Sequence, residues 1–101
     1  MFDKAKQLYQ LQKKAKQVQK ELKNTEVEAK STDGTITVVL TADQKIKSIL
    51  IDDSMLGVEK KRELEEKIVR VTSEGLSRVQ AVAAEKTKGL MGEMGLNIPG
   101  M

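Results

Sequence analysis

The chain has 101 residues, enough for one domain and little more than a single core. Charged residues make up a third of it, and Phe2 and Tyr9 are the only aromatics, so large rings do not supply the bulk of a thick core. An elongated or oligomeric architecture is expected. The absence of Cys and His excludes a disulfide framework, a thiolate metal site and a cysteine nucleophile, and removes the commonest neutral-pH general base and metal ligand.

From Phe2 to about Asn24 the apolar residues fall at Ala5, Leu8, Leu11, Ala15, Val18 and Leu22, a helical and nearly heptad rhythm. Lys, Gln, Leu and Ala fill this stretch without Gly or Pro, which favours a long helix. Asp3, Lys4 and Lys6 interrupt any apolar run at the start, so no signal peptide is expected. No segment approaches the roughly 18 apolar residues of a membrane span, and a soluble cytoplasmic protein without a membrane partner is expected.

Three strands are expected next: Glu26–Ser31; Thr35–Thr41, with Ile36, Val38 and Leu40 on one face; and Ile46–Asp52, ending in Ile49-Leu50-Ile51. Thr32-Asp33-Gly34 is a hairpin signal, and Ala42–Lys45 makes a second turn. Asp52-Asp53-Ser54 offers acceptors for a turn or cap; adjacent carboxylates at a strand end shape a turn far more often than they hold a metal. A second helix is expected from Val58 or Glu59 to about Lys88, with a stripe at Leu64, Ile68, Val71, Gly75, Val79 and Val82. Gly75 in its middle marks either a close helix–helix approach or a weak spot.

Residues 1–88 are thus expected to form a single domain, with 89–101 a flexible Gly/Met-rich tail. The fold class is α+β, an α-β-β-β-α protomer with a three-stranded antiparallel meander flanked by two long helices. Helices of roughly 33 and 45 Å overhang a sheet only about 20–24 Å across. Their exposed stripes need each other or a second subunit, and a homodimer with projecting helical arms is expected.

The net charge of +3 is concentrated. Residues 1–24 hold seven Lys against Asp3 and Glu21, whereas the remainder holds 11 bases against 13 acids. On a helical wheel Leu8, Leu11, Ala15, Val18 and Leu22 occupy one arc of about 80°, and Lys6, Lys13, Lys16 and Lys20 a second, nearly opposite. Lys23 lies at the edge of the second arc, and Lys14 flanks the apolar side. No acid occurs from Lys4 to Lys20, so the ridge has no neutralising partner of its own. The second helix differs, because Glu63–Lys67, Glu66–Arg70 and Glu74–Arg78 are i, i+4 pairs in the favourable order.

Unneutralised lysines suit phosphate contacts made by counterion release, without sequence reading. The scarcity of Arg and aromatic residues provides poorly for guanine reading or base stacking. Duplex DNA bound with little sequence preference is the expected partner. The alternative is a chaperone-like or scaffold dimer gripping a client through its apolar stripes and Met-rich tail. An enzyme is not expected, nor a cofactor, metal or small-molecule substrate. The glycines 89, 92 and 95 follow no strand and precede no Gly-Lys-Ser/Thr, so they are not a phosphate loop.

The whole chain resembles the YbaB/EbfC family of bacterial nucleoid-associated proteins. The resemblance runs from the opening Lys4-Ala-Lys-Gln-Leu and Gln12–Leu22 through Val27-Glu-Ala, the Asp33-Gly34 turn, Lys45–Asp52 and Lys61–Glu66 to the ending Gly92–Met101. It implies a tweezer-like homodimer that binds DNA through its helices and is located at the nucleoid. The implied DNA-binding residues are Lys6, Lys13, Lys14, Lys16, Lys20 and Lys23, together with Lys86 and Lys88 at the far end of the second helix. The chain departs from the family at Val71-Thr-Ser-Glu-Gly75, where an Ala-rich stretch is common.

Overall fold

Good helix formers without interruption carry helix α1 from Phe2 to Asn24. It ends where Thr25 turns its hydroxyl back to the Glu21 carbonyl (2.6 Å) and its N–H to the Leu22 carbonyl (3.2 Å). Strands β1 (Glu26–Lys30), β2 (Ile36–Thr41) and β3 (Lys45–Ile51) follow, two short 3-10 turns come next, and helix α2 (Lys61–Glu93) closes the order. This α-β-β-β-α arrangement is that of the computed structural model, which describes residues 2–93.

The strands form an antiparallel meander in the order β1-β2-β3. Asp33 organises the first hairpin. Its Oδ1 accepts from the Ser31 hydroxyl (2.8 Å), the Thr35 hydroxyl (2.7 Å) and the Thr35 N–H (3.1 Å), while Gly34 takes the positive φ of +75° that the turn requires. At the second turn Gln44 takes φ +68°. Beyond β3, the Asp52 carboxylate accepts from the Ser54 N–H (3.0 Å) and hydroxyl and caps the 3-10 turn Asp53–Met55.

Helix α2 lies across β1 and β2. Its Val71 and Val79 and the β2 residues Ile36, Val38 and Leu40 are buried together with Ala29 and Met55, and Leu64 and Ile68 pack at the margin. Gly75 stands at the closest point. A β-carbon there would lie 2.4 Å from Leu40 Cδ1 and 3.4 Å from Ala29 Cβ. The close approach that this glycine allows is therefore of helix on sheet, not of helix on helix.

Two side chains fasten α2 to the sheet on the β1 side. Lys67 Nζ donates to Asp33 Oδ2 in the first hairpin and lies 3.3 Å from Glu63. Arg78 donates to the Glu28 carbonyl (2.8 Å) and pairs with Glu74 (2.9 Å). The Lys67 ammonium, with the Thr35 and Ser31 hydroxyls, holds the Asp33 carboxyl well below the usual carboxylate range, and Asp33 in turn raises Lys67. Glu66 is met by Arg62 (3.4 Å), one turn before it, and not by Arg70 one turn after it, as the spacing suggested.

Helix α2 runs on to Glu93, past the end expected at Lys88. Gly89 and Gly92 each cost the helix only about 1 kcal/mol, and Leu90 and Met91 are good helix formers. Residues 94–101, the rest of the expected tail, lie outside the described residues. At 33 residues α2 is about 50 Å long. The molecule measures 68 × 26 × 16 Å, with a radius of gyration of 19.0 Å, where a compact domain of this length has about 13 Å. The overhang of helices beyond a small sheet is present.

Strand β3 is the outlying element. A bulge at Lys47 sets Leu40 opposite Ile46, Val38 opposite Ile49 and Ile36 opposite Ile51. Paired residues share a face, so Ile46, Ile49 and Ile51 sit on the helix side of the sheet. They are nonetheless exposed, at 49%, 40% and 36%, because α2 covers the other two strands.

Replacing Gly75 with Ala forces a methyl against fully buried Leu40. The gain in helix propensity of about 1 kcal/mol is outweighed by overpacking of about 1–3 kcal/mol, and urea denaturation should show a net loss on the order of 1 kcal/mol. For Asp33 the folded pKa is depressed, so its stabilisation is present above the unfolded-state value near 3.9 and is lost as pH falls below it. Asp33→Asn should lower Tm at pH 7 and flatten the decline of Tm below about pH 4; an unchanged acid limb would show that the Lys67 contact carries no stability.

Candidate nucleic-acid interface

Helix α1 meets the rest of the protein only along its second half. Ala15, Val18 and Leu22 are half-buried on the α2 side, whereas every described side chain from Asp3 to Lys13 is exposed. Leu8 is 61% exposed and Leu11 39%, so the first three turns project with their apolar stripe uncovered.

The cationic arc lies on the side away from α2. Lys6, Lys13, Lys16, Lys20 and Lys23 are all exposed. Among the described residues none of the five has an ion pair or hydrogen-bond partner. Five like charges on one face, with no carboxylate to displace, have the chemistry that phosphate contact by counterion release requires. Lys14 stands apart from them, half-buried at the apolar margin and engaged in an interaction of its own.

The two candidate lysines of α2 separate in the same way. Lys86 Nζ lies 3.7 Å from Glu21 Oε2 of α1 and is half-buried, so it ties the two helices together. Lys88, two residues on, is exposed and without an ion pair among the described residues. Sequence spacing could not separate these two, because the pairing depends on how α1 lies along α2.

A further cationic pair was not singled out from the sequence. Lys45 and Lys47 of β3 border a shallow groove with Lys23, Asn24 and Thr41. Both are engaged, Lys47 with Glu26 and Lys45 with Asp43 (3.9 Å). The only sequence signal was their alternation in the strand, and the nearby acids remove most of what they could offer a phosphate.

A small α+β fold that displays a one-signed helical face well clear of its core has a surface suited to a polyanion. The sequence profile described as the YbaB/EbfC DNA-binding family matches residues 1–94, and the chain belongs to that family. A nucleoid-associated protein of Afipia carboxidovorans is 34% identical over 96 residues, which cover 95% of this chain and 90% of that protein. One of Bradyrhizobium sp. is 38% identical over 91 residues, covering 90% and 86%. The crystal structure of an uncharacterized protein from Helicobacter pylori superposes with a TM-score of 0.69 at 24% identity, covering 86% of this chain and 87% of that one. It shares the fold. Among the described residues no helix is long and apolar enough to cross a membrane.

Proposed function

We propose that this protein binds duplex DNA as a homodimer, with little sequence preference, and in that way organises the nucleoid and bears on gene expression. The observation that carries the reading is the contrast between the helices. Lys6, Lys13, Lys16, Lys20 and Lys23 of α1 are exposed and unpaired among the described residues, while Lys67, Arg78 and Lys86 of α2 are held by carboxylates. Family membership and the names of the relatives agree with it. Lys88, and more weakly Lys14 and Lys86, supplement the ridge.

The homodimer is supported by what the protomer leaves uncovered. Ile46, Ile49 and Ile51 present apolar side chains on the core-facing side of β3, and β3 is also an edge strand with unpaired backbone groups. Such an edge needs a cover. A second copy covers both at once and displays the ridge twice, which suits it to contact a long polymer at two places.

The triple variant Lys13→Glu, Lys16→Glu, Lys20→Glu should lose duplex binding in an anisotropy titration while sedimenting as wild type. Wild-type log K should fall linearly with log salt, with a slope of about −0.9 for each phosphate neutralised. Unchanged duplex binding by the triple variant would show that the ridge is not the DNA contact and place that contact elsewhere on the protein. Ile49→Glu places a charge on the uncovered face of β3, and the expected product is a folded monomer by analytical ultracentrifugation; a dimer that persists would place the subunit contact elsewhere.

A further inference from the structure

Helical geometry places an aromatic ring inside the lysine arc. At about 100° per residue, Lys16, Tyr9, Lys20, Lys13 and Lys6 follow one another around about 80° of α1, with Tyr9 near the middle. Ala15, Val18 and Leu22, which pack toward α2, lie on the far side. Tyr9 is 68% exposed, and its hydroxyl has no partner among the described residues.

Folding gives no reason for a ring at this position. Tyr is a poorer helix former than the Lys and Gln around it, and burial contributes little to so exposed a side chain. Its neighbours explain it better. Lys6 precedes it by about 4.5 Å along the axis and Lys13 follows by about 6 Å. Two cations seated on phosphates would bring the ring between them, over the sugars and bases. Every base has a π-face, so an aromatic contact of this kind adds affinity without selecting a sequence.

We propose that Tyr9 is a nucleobase contact of the ridge, stacking where a base step is open, so that the protein holds duplex DNA containing an unpaired nucleotide more tightly than fully paired duplex. The proposal rests on the reading of α1 as the DNA-binding face and adds to it a component that salt does not screen.

Tyr9 is the only tyrosine and the chain has no tryptophan, so the intrinsic fluorescence of the full chain reports this ring alone. Addition of a duplex with a single-nucleotide bulge should quench the emission more than the same duplex fully paired, and the bulged duplex should bind about tenfold more tightly. Tyr9→Gln should abolish that preference and leave the salt slope unchanged, while Tyr9→Phe retains the preference. Equal wild-type affinity for the two duplexes, or emission unmoved at saturating DNA, overturns the proposal. So does a Phe variant that behaves as Gln, which would make the hydroxyl the contact, or emission that depends on protein concentration without DNA, which would place the ring in a self-association surface. A steep salt slope with a silent tyrosine sinks this inference and leaves the ridge standing; a wild type that binds neither duplex sinks both.

Discussion

The absence of a side chain at Gly75 lets α2 settle directly on Leu40 and Ala29, and much of the molecule follows from that contact. A helix seated this low over β1 and β2 cannot also cover β3. It is fastened on the β1 side by Lys67 to Asp33 and by Arg78 to the Glu28 carbonyl, so the opposite flank of the sheet is left open. The same placement sends the second half of α2 beyond the sheet, where it serves as a rail for the second half of α1.

Charge is sorted by this arrangement. On α2, cations near the sheet or near α1 are drawn into pairs with carboxylates or carbonyls, and they hold elements together. The α1 arc faces away from α2 and, among the described residues, pairs with no acid. Each helix carries seven basic residues, but α1 has two acids and α2 six, so α2 spends much of its charge internally and α1 presents its own outward. The exposed cationic face arises here from the lack of internal partners more than from the number of lysines.

The helices, the strands and the α1 arc were legible because each rests on a local period: apolar steps of three and four for helices, alternation for strands, and runs free of acid for the ridge. What was not legible depended on three-dimensional placement. Alternation alone would set Ile46 on the face opposite Ile49 and Ile51; the bulge at Lys47 brings all three to one side. Nothing local distinguishes Lys86, tied to Glu21, from Lys88, which is not. Composition also marked the chain as nearly free of aromatics, a true count that hid where Tyr9 stands. The length of α2 was not legible either, because Gly89 and Gly92 resemble a stop although the helix formers between them carry the helix on to Glu93.

The unpaired ridge has a consequence for α1 itself. Lys16 and Lys20 are one turn apart, as are Lys13 and Lys16, and like charges at that spacing destabilise a helix by a few tenths of a kcal/mol each. These pairs lie where Ala15, Val18 and Leu22 supply packing against the repulsion, and not within the first three turns, whose side chains project into solvent. Under the proposed function a polyanion laid along the ridge would remove that repulsion, so ligand binding and the stability of this stretch of helix would be thermodynamically linked.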